Sequence, residues 1–150
     1  MLPLRKAAAY AEHPLLRHPE EICLERGNNA TTVSWWNRWT LVSTWAGRGE
    51  KTIVGALADA LPTIVEGRHV HYFVADTLAV VGYDMSLRQP TSTVLNYLKR
   101  SGMEELVVIA SSPALRMLAF ALGLAVVKRT RVFETREQAV DYCAKPPGVV

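Results

Sequence analysis

Few side chains in this sequence are placed to do chemistry, and they are scattered. Asp76 and Asp84 flank the apolar run 78–81. As a pair they could act as general acid and base or hold a hard cation. No Glu, His or Gly-rich loop joins them in sequence, so each is better read as a capping group. Ser86 lies just beyond Asp84 and Met85. Gly82-Tyr83-Asp84 must turn the chain, and the next apolar periodicity, Val94, Leu95 and Leu98, requires a helix that begins between Met85 and Pro90. Ser86 is therefore expected to be solvent-accessible in or just ahead of a first helical turn. Backbone N–H groups lack partners there and an anion is welcome. His69 and His71 would share a face of one strand, but no further zinc-type ligand is near them in sequence. Cys23 and Cys143 have no companion that would activate a thiolate. Trp35, Trp36, Trp39 and Trp45 cluster in one short stretch. Adjacent Trp35 and Trp36 must point to opposite faces of a strand. One should enter the core, and Trp36 is the candidate for a partner surface, unless the residues ahead of it cover it.

The elements that must position these groups can be read from periodicity. Residues 1–28 carry Pro3, Pro14 and Pro19 and read as an extension, with a short helix over 19–25. Residues 31–36 and 39–45 read as a β-hairpin about Asn37-Arg38, followed by a loop at 46–49. Ile53, Val54, Leu57, Leu61, Ile64 and Val65 make one face of a helix over 50–66, which Pro62 should kink or shorten. Residues 70–75 form a strand, followed by Asp76-Thr77 and the short run 78–81. A helix covers about 90–100. Residues 106–110 are continuously apolar and β-branched, as suits a strand covered on both faces. Ser112-Pro113 starts a helix expected to stop at Gly123. Residues 126–133 form a strand whose Lys128, Arg129 and Arg131 protect an edge or meet an acidic partner. Thr135-Arg136-Glu137-Gln138 is a capping box that opens the last helix. Strands joined by helices imply crossovers and parallel pairs.

Composition sets the outer limits. The 150 residues suffice for one domain with its own core. Apolar residues at 49% and charged residues at 21% exclude a largely disordered chain. A net charge of +3 is too small to announce nucleic-acid binding. The longest apolar run, 117–127, is about half of the ~20 residues a membrane span needs. The start lacks an apolar signal segment, and two distant cysteines suit a reducing cytoplasm. Asn29-Ala30-Thr31 matches a glycosylation sequon by chance.

Residues Val74-Ala75-Asp76-Thr77-Leu78 through Asp84-Met85-Ser86 resemble the central signature of the STAS family. That family includes bacterial anti-sigma-factor antagonists and cytoplasmic domains of sulfate transporters. Its signature runs from an apolar strand through Asp and Leu to Asp-Ser-Ser-Gly and a helix. The run from Val107 through Ser111-Ser112-Pro113 to Arg116 resembles the next strand and helix start, and 124–139 resembles the closing segment. Met85 stands in place of the first Ser and Leu87 in place of the Gly. The resemblance implies an α/β domain over 29–146, with a tail at 147–150. Its mixed sheet would have four to six strands, an N-terminal β-hairpin and about four helices packed on it. It also implies Ser86 as phosphoacceptor, within a switch loop of Asp76, Thr77, Asp84, Met85, Ser86, Leu87 and Arg88. Ser111, Ser112 and Arg116 would lie beside that loop, adding to Trp36 as partner surface. The expected activity is regulatory binding without catalysis, cofactor or metal. The expected partner is a protein, such as a kinase-type anti-sigma factor, with a homodimer as the other assembly; neither a membrane span nor nucleic acid is expected. The alternative is a module for a small apolar, lipid-like ligand. An apolar cavity lined by 114–122 with Ile53, Leu57 and Leu61 would favour it, and a filled core would favour the interaction domain.

Overall fold

The computed structural model describes residues 4–7, 21–127 and 129–146. Seven strands form one mixed sheet whose spatial order follows the chain. They are β1 (Leu4–Ala7), β2 (Glu21–Arg26), β3 (Asn29–Asn37), β4 (Thr40–Gly49), β5 (Tyr72–Tyr83), β6 (Glu105–Ile109) and β7 (Arg129–Phe133). β1 to β4 run antiparallel, and β4 to β7 are parallel. The parallel strands are connected by α1 (Lys51–Val65), α2 (Arg88–Arg100) and α3 (Pro113–Val126), and α4 (Arg136–Cys143) follows β7. This is the expected α/β architecture of a mixed sheet with four helices. Six strands lie within residues 21–133, and the four-residue β1 adds an outer edge.

The sheet carries a separate apolar cluster on each face. Three successive crossovers in one direction place α1, α2 and α3 on one face. There Val54, Leu57 and Leu61 of α1 and Val94, Leu95 and Leu98 of α2 pack against Leu41, Phe73, Leu106 and Val108. On the other face Ala139, Val140 and Cys143 of α4 cover Trp36, Val42, Val74, Val107 and Ile109. Successive side chains of β6 thus alternate between two cores, which is why its sequence is apolar throughout. Val107, Val108 and Ile109 are all buried. No helix among the described residues is long and apolar enough to cross a membrane.

Four local expectations are corrected. Residues 21–26 form strand β2, not part of a helix, because β3 offers an edge on which Cys23 and Leu24 become buried. The hairpin turn is Arg38-Trp39, one residue later than read. β4 and β5 both continue through expected loops, with Ala46 beside Ala79, Gly47 beside Val80 and Gly49 beside Tyr83, so each supplies the partner the other lacks. Gly47 is essential to this extension: its φ is +82°, and a Cβ there would meet the Asn29 side chain. α3 passes through Gly123 and ends at Val126. Gly123 lets the helix approach Thr130 of β7 too closely for any side chain, so it is a packing position within the helix. Pro62 also lies within its helix, which continues to Val65. The capping box at Thr135 forms as read, with Thr135 Oγ1 accepting from Gln138 N at 3.2 Å.

Candidate functional site

β5 ends at Tyr83, and its end is tied to the end of β4. Asp84 N donates to Gly49 O at 3.0 Å. Arg48 donates to Asp84 Oδ1 from Nε at 2.7 Å and to Tyr83 O at 3.3 Å. The chain then makes one 3₁₀ turn, Met85–Leu87, closed by Leu87 N donating to Asp84 O at 3.1 Å, and enters α2 at Arg88. Ser86 is exposed on this turn, as are Arg88 and Gln89. It borders a surface groove with Lys51 and Thr52, where the N-termini of α1 and α2 meet. Lys51 and Arg88 give that groove a positive character. Asp84 does not cap the turn with its side chain, which is committed to Arg48.

Most of the remaining candidates are held by bonds of their own. Asp76 is buried, with Oδ2 held by Arg136 Nε at 2.9 Å and Oδ1 accepting from Leu78 N at 3.1 Å. It ties β5 to the start of α4 and makes no bond to the segment near Asp84, and the two carboxylates share no partner. Thr77 is part of β5 and not of a loop, and its hydroxyl donates to Ile109 O at 2.8 Å. Arg116 donates to Ala110 O at 3.1 Å and pairs with Glu134 at 2.9 Å. Asp76 thus joins the middle of β5 to α4, Thr77 joins β5 to the end of β6, and Arg116 joins α3 to the residues that follow β6 and β7. Ser111 is exposed and Ser112 half-buried at the start of α3, where Ser112 holds the cap position without a side-chain capping bond.

Trp36 is a correction. It is 3% exposed, beneath α4, and offers nothing to a partner. Trp35 is buried too, against the opposite face, with the Arg68 guanidinium 3.6 Å from its ring centre. Both tryptophans are inside because both faces of the sheet are covered. Trp39 Nε1 donates to Cys143 O at 2.9 Å, fastening the hairpin to the end of α4. His71 is buried with Nε2 3.5 Å from Glu105, while His69 is exposed. Arg129 and Arg131 lie on the edge strand β7; Lys128 lies outside the described residues.

One feature was only half visible in the sequence. An apolar cavity of about 140 Å³ lies between α1, α2, α3 and the sheet. Buried Leu57, Phe73, Leu95 and Leu106 form its inner wall, and half-buried Val80, Tyr83, Thr91 and Leu115 its outer wall. Leu118 and Ala119 of α3 also line it, whereas Ile53 and Leu61 do not. Leu87 supplies part of the wall from within the Ser86 turn. The available signal was the bulky Leu87 where the family pattern has glycine.

No family model matches the chain, and no curated protein matches it. Solved structures match its fold. SpoIIAA, an anti-sigma factor antagonist in its unphosphorylated form, aligns with a TM-score of 0.60 at 17% identity, covering 77% of this chain and 99% of that one. The phosphorylated form of SpoIIAA, a Bacillus cell fate determinant, aligns at 0.56 and 18%, covering 75% and 97%. An uncharacterized protein of the DUF3478 family from Shewanella loihica PV-4, described as having a SpoIIAA-like fold, aligns at 0.58 and 11%, covering 79% and 98%. The chain has the SpoIIAA-like fold.

Proposed function

We propose that this domain is a non-enzymatic regulatory module, acting in the cytoplasm, that docks a protein partner through the Ser86 turn. The observation that carries the reading is the exposed Ser86 on a one-turn 3₁₀ segment ahead of α2, facing a groove that includes Lys51 and Arg88. A phosphate on Ser86 would lie ahead of the positive end of α2 and beside Lys51 and Arg88. The fold likeness to SpoIIAA in both phosphorylated and unphosphorylated forms supports Ser86 as a switch, with a kinase-type anti-sigma factor as the partner class. Exposed Ser111 would extend the docking surface. The test compares the chain with S86A and S86D, using a purified kinase-type anti-sigma factor. Expected are ATP-dependent phosphate on Ser86 located by mass spectrometry, binding by the wild type, at least tenfold weaker binding by S86D, and unchanged melting temperature for S86D. No phosphate on Ser86, or equal binding by S86D, overturns the reading. Light scattering of the free chain separates this partner from a second copy.

A second reading, a small apolar-ligand binding module, is favoured by the cavity. Leu115, Leu118 and Ala119 of α3 and Leu57 of α1 line it, which supports this reading, whereas Ile53 and Leu61 do not line it.

A further inference from the structure

The cavity is well below the roughly 300–1,000 Å³ of pockets that bury drug-sized ligands. At about 140 Å³ it matches the ~150 Å³ apolar cavities that hold benzene. The space is too small to enclose a whole lipid. Among the described residues the wall bears no charged group, and its side-chain polar groups include the hydroxyls of Thr77, Tyr83 and Thr91. Thr77 already donates to Ile109 O. A charged ligand would thus lose its hydration with nothing to replace it. The space is partly open to solvent past Val80, Tyr83, Thr91 and Leu115, and its apolar lining forgoes contacts that an occupant would restore.

The segment carrying Ser86 forms one side of this space. Tyr83, Leu87 and Thr91 all lie on the wall, and Ser86 is between the first and second of them. Leu87 is 9% exposed while its neighbour Ser86 is exposed, so the 3₁₀ turn has one residue in the cavity and one in solvent. The turn cannot move outward without withdrawing Leu87 from the wall.

We infer that the cavity binds one uncharged apolar molecule of about benzene's size, and that its occupancy is read out at Ser86 through Leu87. This narrows the apolar-ligand reading, and it rests on the Ser86 docking reading only for the use of the readout. An occupant that contacts Leu87 favours the conformations in which Leu87 remains inserted, and so fixes how Ser86 is presented. The site is a sensor of a small molecule, not a carrier.

The test is an amide and methyl NMR titration with benzene, with benzoate as the charged comparison. Benzene is expected to shift the methyls of Leu57, Leu95 and Leu118 and the amides of residues 85–88, saturably and together, while benzoate binds at least tenfold more weakly. A119L, which extends a side chain into the cavity, should weaken benzene binding at least tenfold. L115F fills the space from the outer wall and serves the same purpose if A119L does not fold. No saturable methyl shift with benzene overturns the binding site, as does undiminished binding in a folded cavity-filled variant. Methyl shifts without shifts at 85–88 overturn the readout. Binding of the anti-sigma factor to S86A and S86D is measured separately in benzene-free buffer, so failure of the docking reading is distinguishable from failure of this one.

Discussion

The two aspartates that looked alike in the sequence have different energetic weight. Asp76 is 1% exposed and accepts from Arg136 and from the Leu78 backbone. Asp84 has a side chain 38% exposed and pairs with Arg48, itself 57% exposed. Removing one member of a buried charged pair costs about 3–5 kcal/mol where the other cannot be rehydrated. Arg136 retains 43% exposure and can recover some hydration, so Asp76→Ala should cost less, about 1–3 kcal/mol. Asp84→Ala removes a solvent-screened pair and should cost about 1 kcal/mol or less. Urea denaturation of both variants checks the contrast, and equal losses would contradict the assigned roles. Both aspartates stand at the end of an apolar run in the sequence, yet only Asp84 follows the end of β5, whereas Asp76 lies inside it. The sequence could not distinguish them, because Arg136 lies far along the chain from Asp76 and meets it only once α4 folds over the sheet.

At the scale of elements, what was legible is what is local. The capping box at Thr135, the apolar face of α1 and the doubly covered β6 each follow from residues within one segment. What was not legible depends on a neighbour. β2 is a strand because β3 pairs with it, and β4 and β5 lengthen because they lie side by side. The candidate site shows the same division: the Ser86 turn followed from local punctuation, whereas the wall formed by Tyr83, Leu87 and Thr91 required α1 and α3 to be in place. Gly123 tests this distinction. As a helix stop it would tolerate alanine only if the backbone allowed it, and as a mid-helix residue it should gain about 1 kcal/mol in propensity from alanine. The structure gives the opposite sign, since a Cβ at this position would run into the Thr130 side chain. Gly123→Ala is expected to destabilise by about 1–3 kcal/mol through overpacking. Thr130→Ala should relieve much of that loss in the double variant, because the two positions touch and their effects should not add. Additive losses in thermal unfolding would show that α3 does not approach β7 at this point.

Across the whole molecule, the α4 face of the sheet makes stability sensitive to alkali. Tyr72 is pushed up to about 12, chiefly by burial and then by the negative charges of Glu105, Cys143 and Tyr142, with Arg129 opposing. Burial also raises Tyr142, reinforced by its hydrogen bond to Glu105. The Cys143 thiol is raised by burial and then by Glu105. Each group is neutral when protonated and anionic when not, and each ordinarily titrates lower, near 8.5 for cysteine and 10 for tyrosine. On raising the pH, the unfolded chain therefore releases these protons before the folded chain does. The unfolded state binds fewer protons in that window, so the stability of the fold declines as pH rises. Their contribution is fully present below about pH 8 and is lost progressively as pH climbs through the cysteine and then the tyrosine range. Removing a group should remove its share of the slope. Cys143→Ala is expected to flatten the decline between about pH 8.5 and 10, after an initial loss from the small void it leaves. Tyr72→Phe keeps the ring between His71 and Tyr142 and should flatten the decline above about pH 10. The check is the urea midpoint of the wild type and both variants from pH 7 to 11. A variant slope that matches the wild type throughout would mean that the corresponding group titrates alike in the folded and unfolded chains.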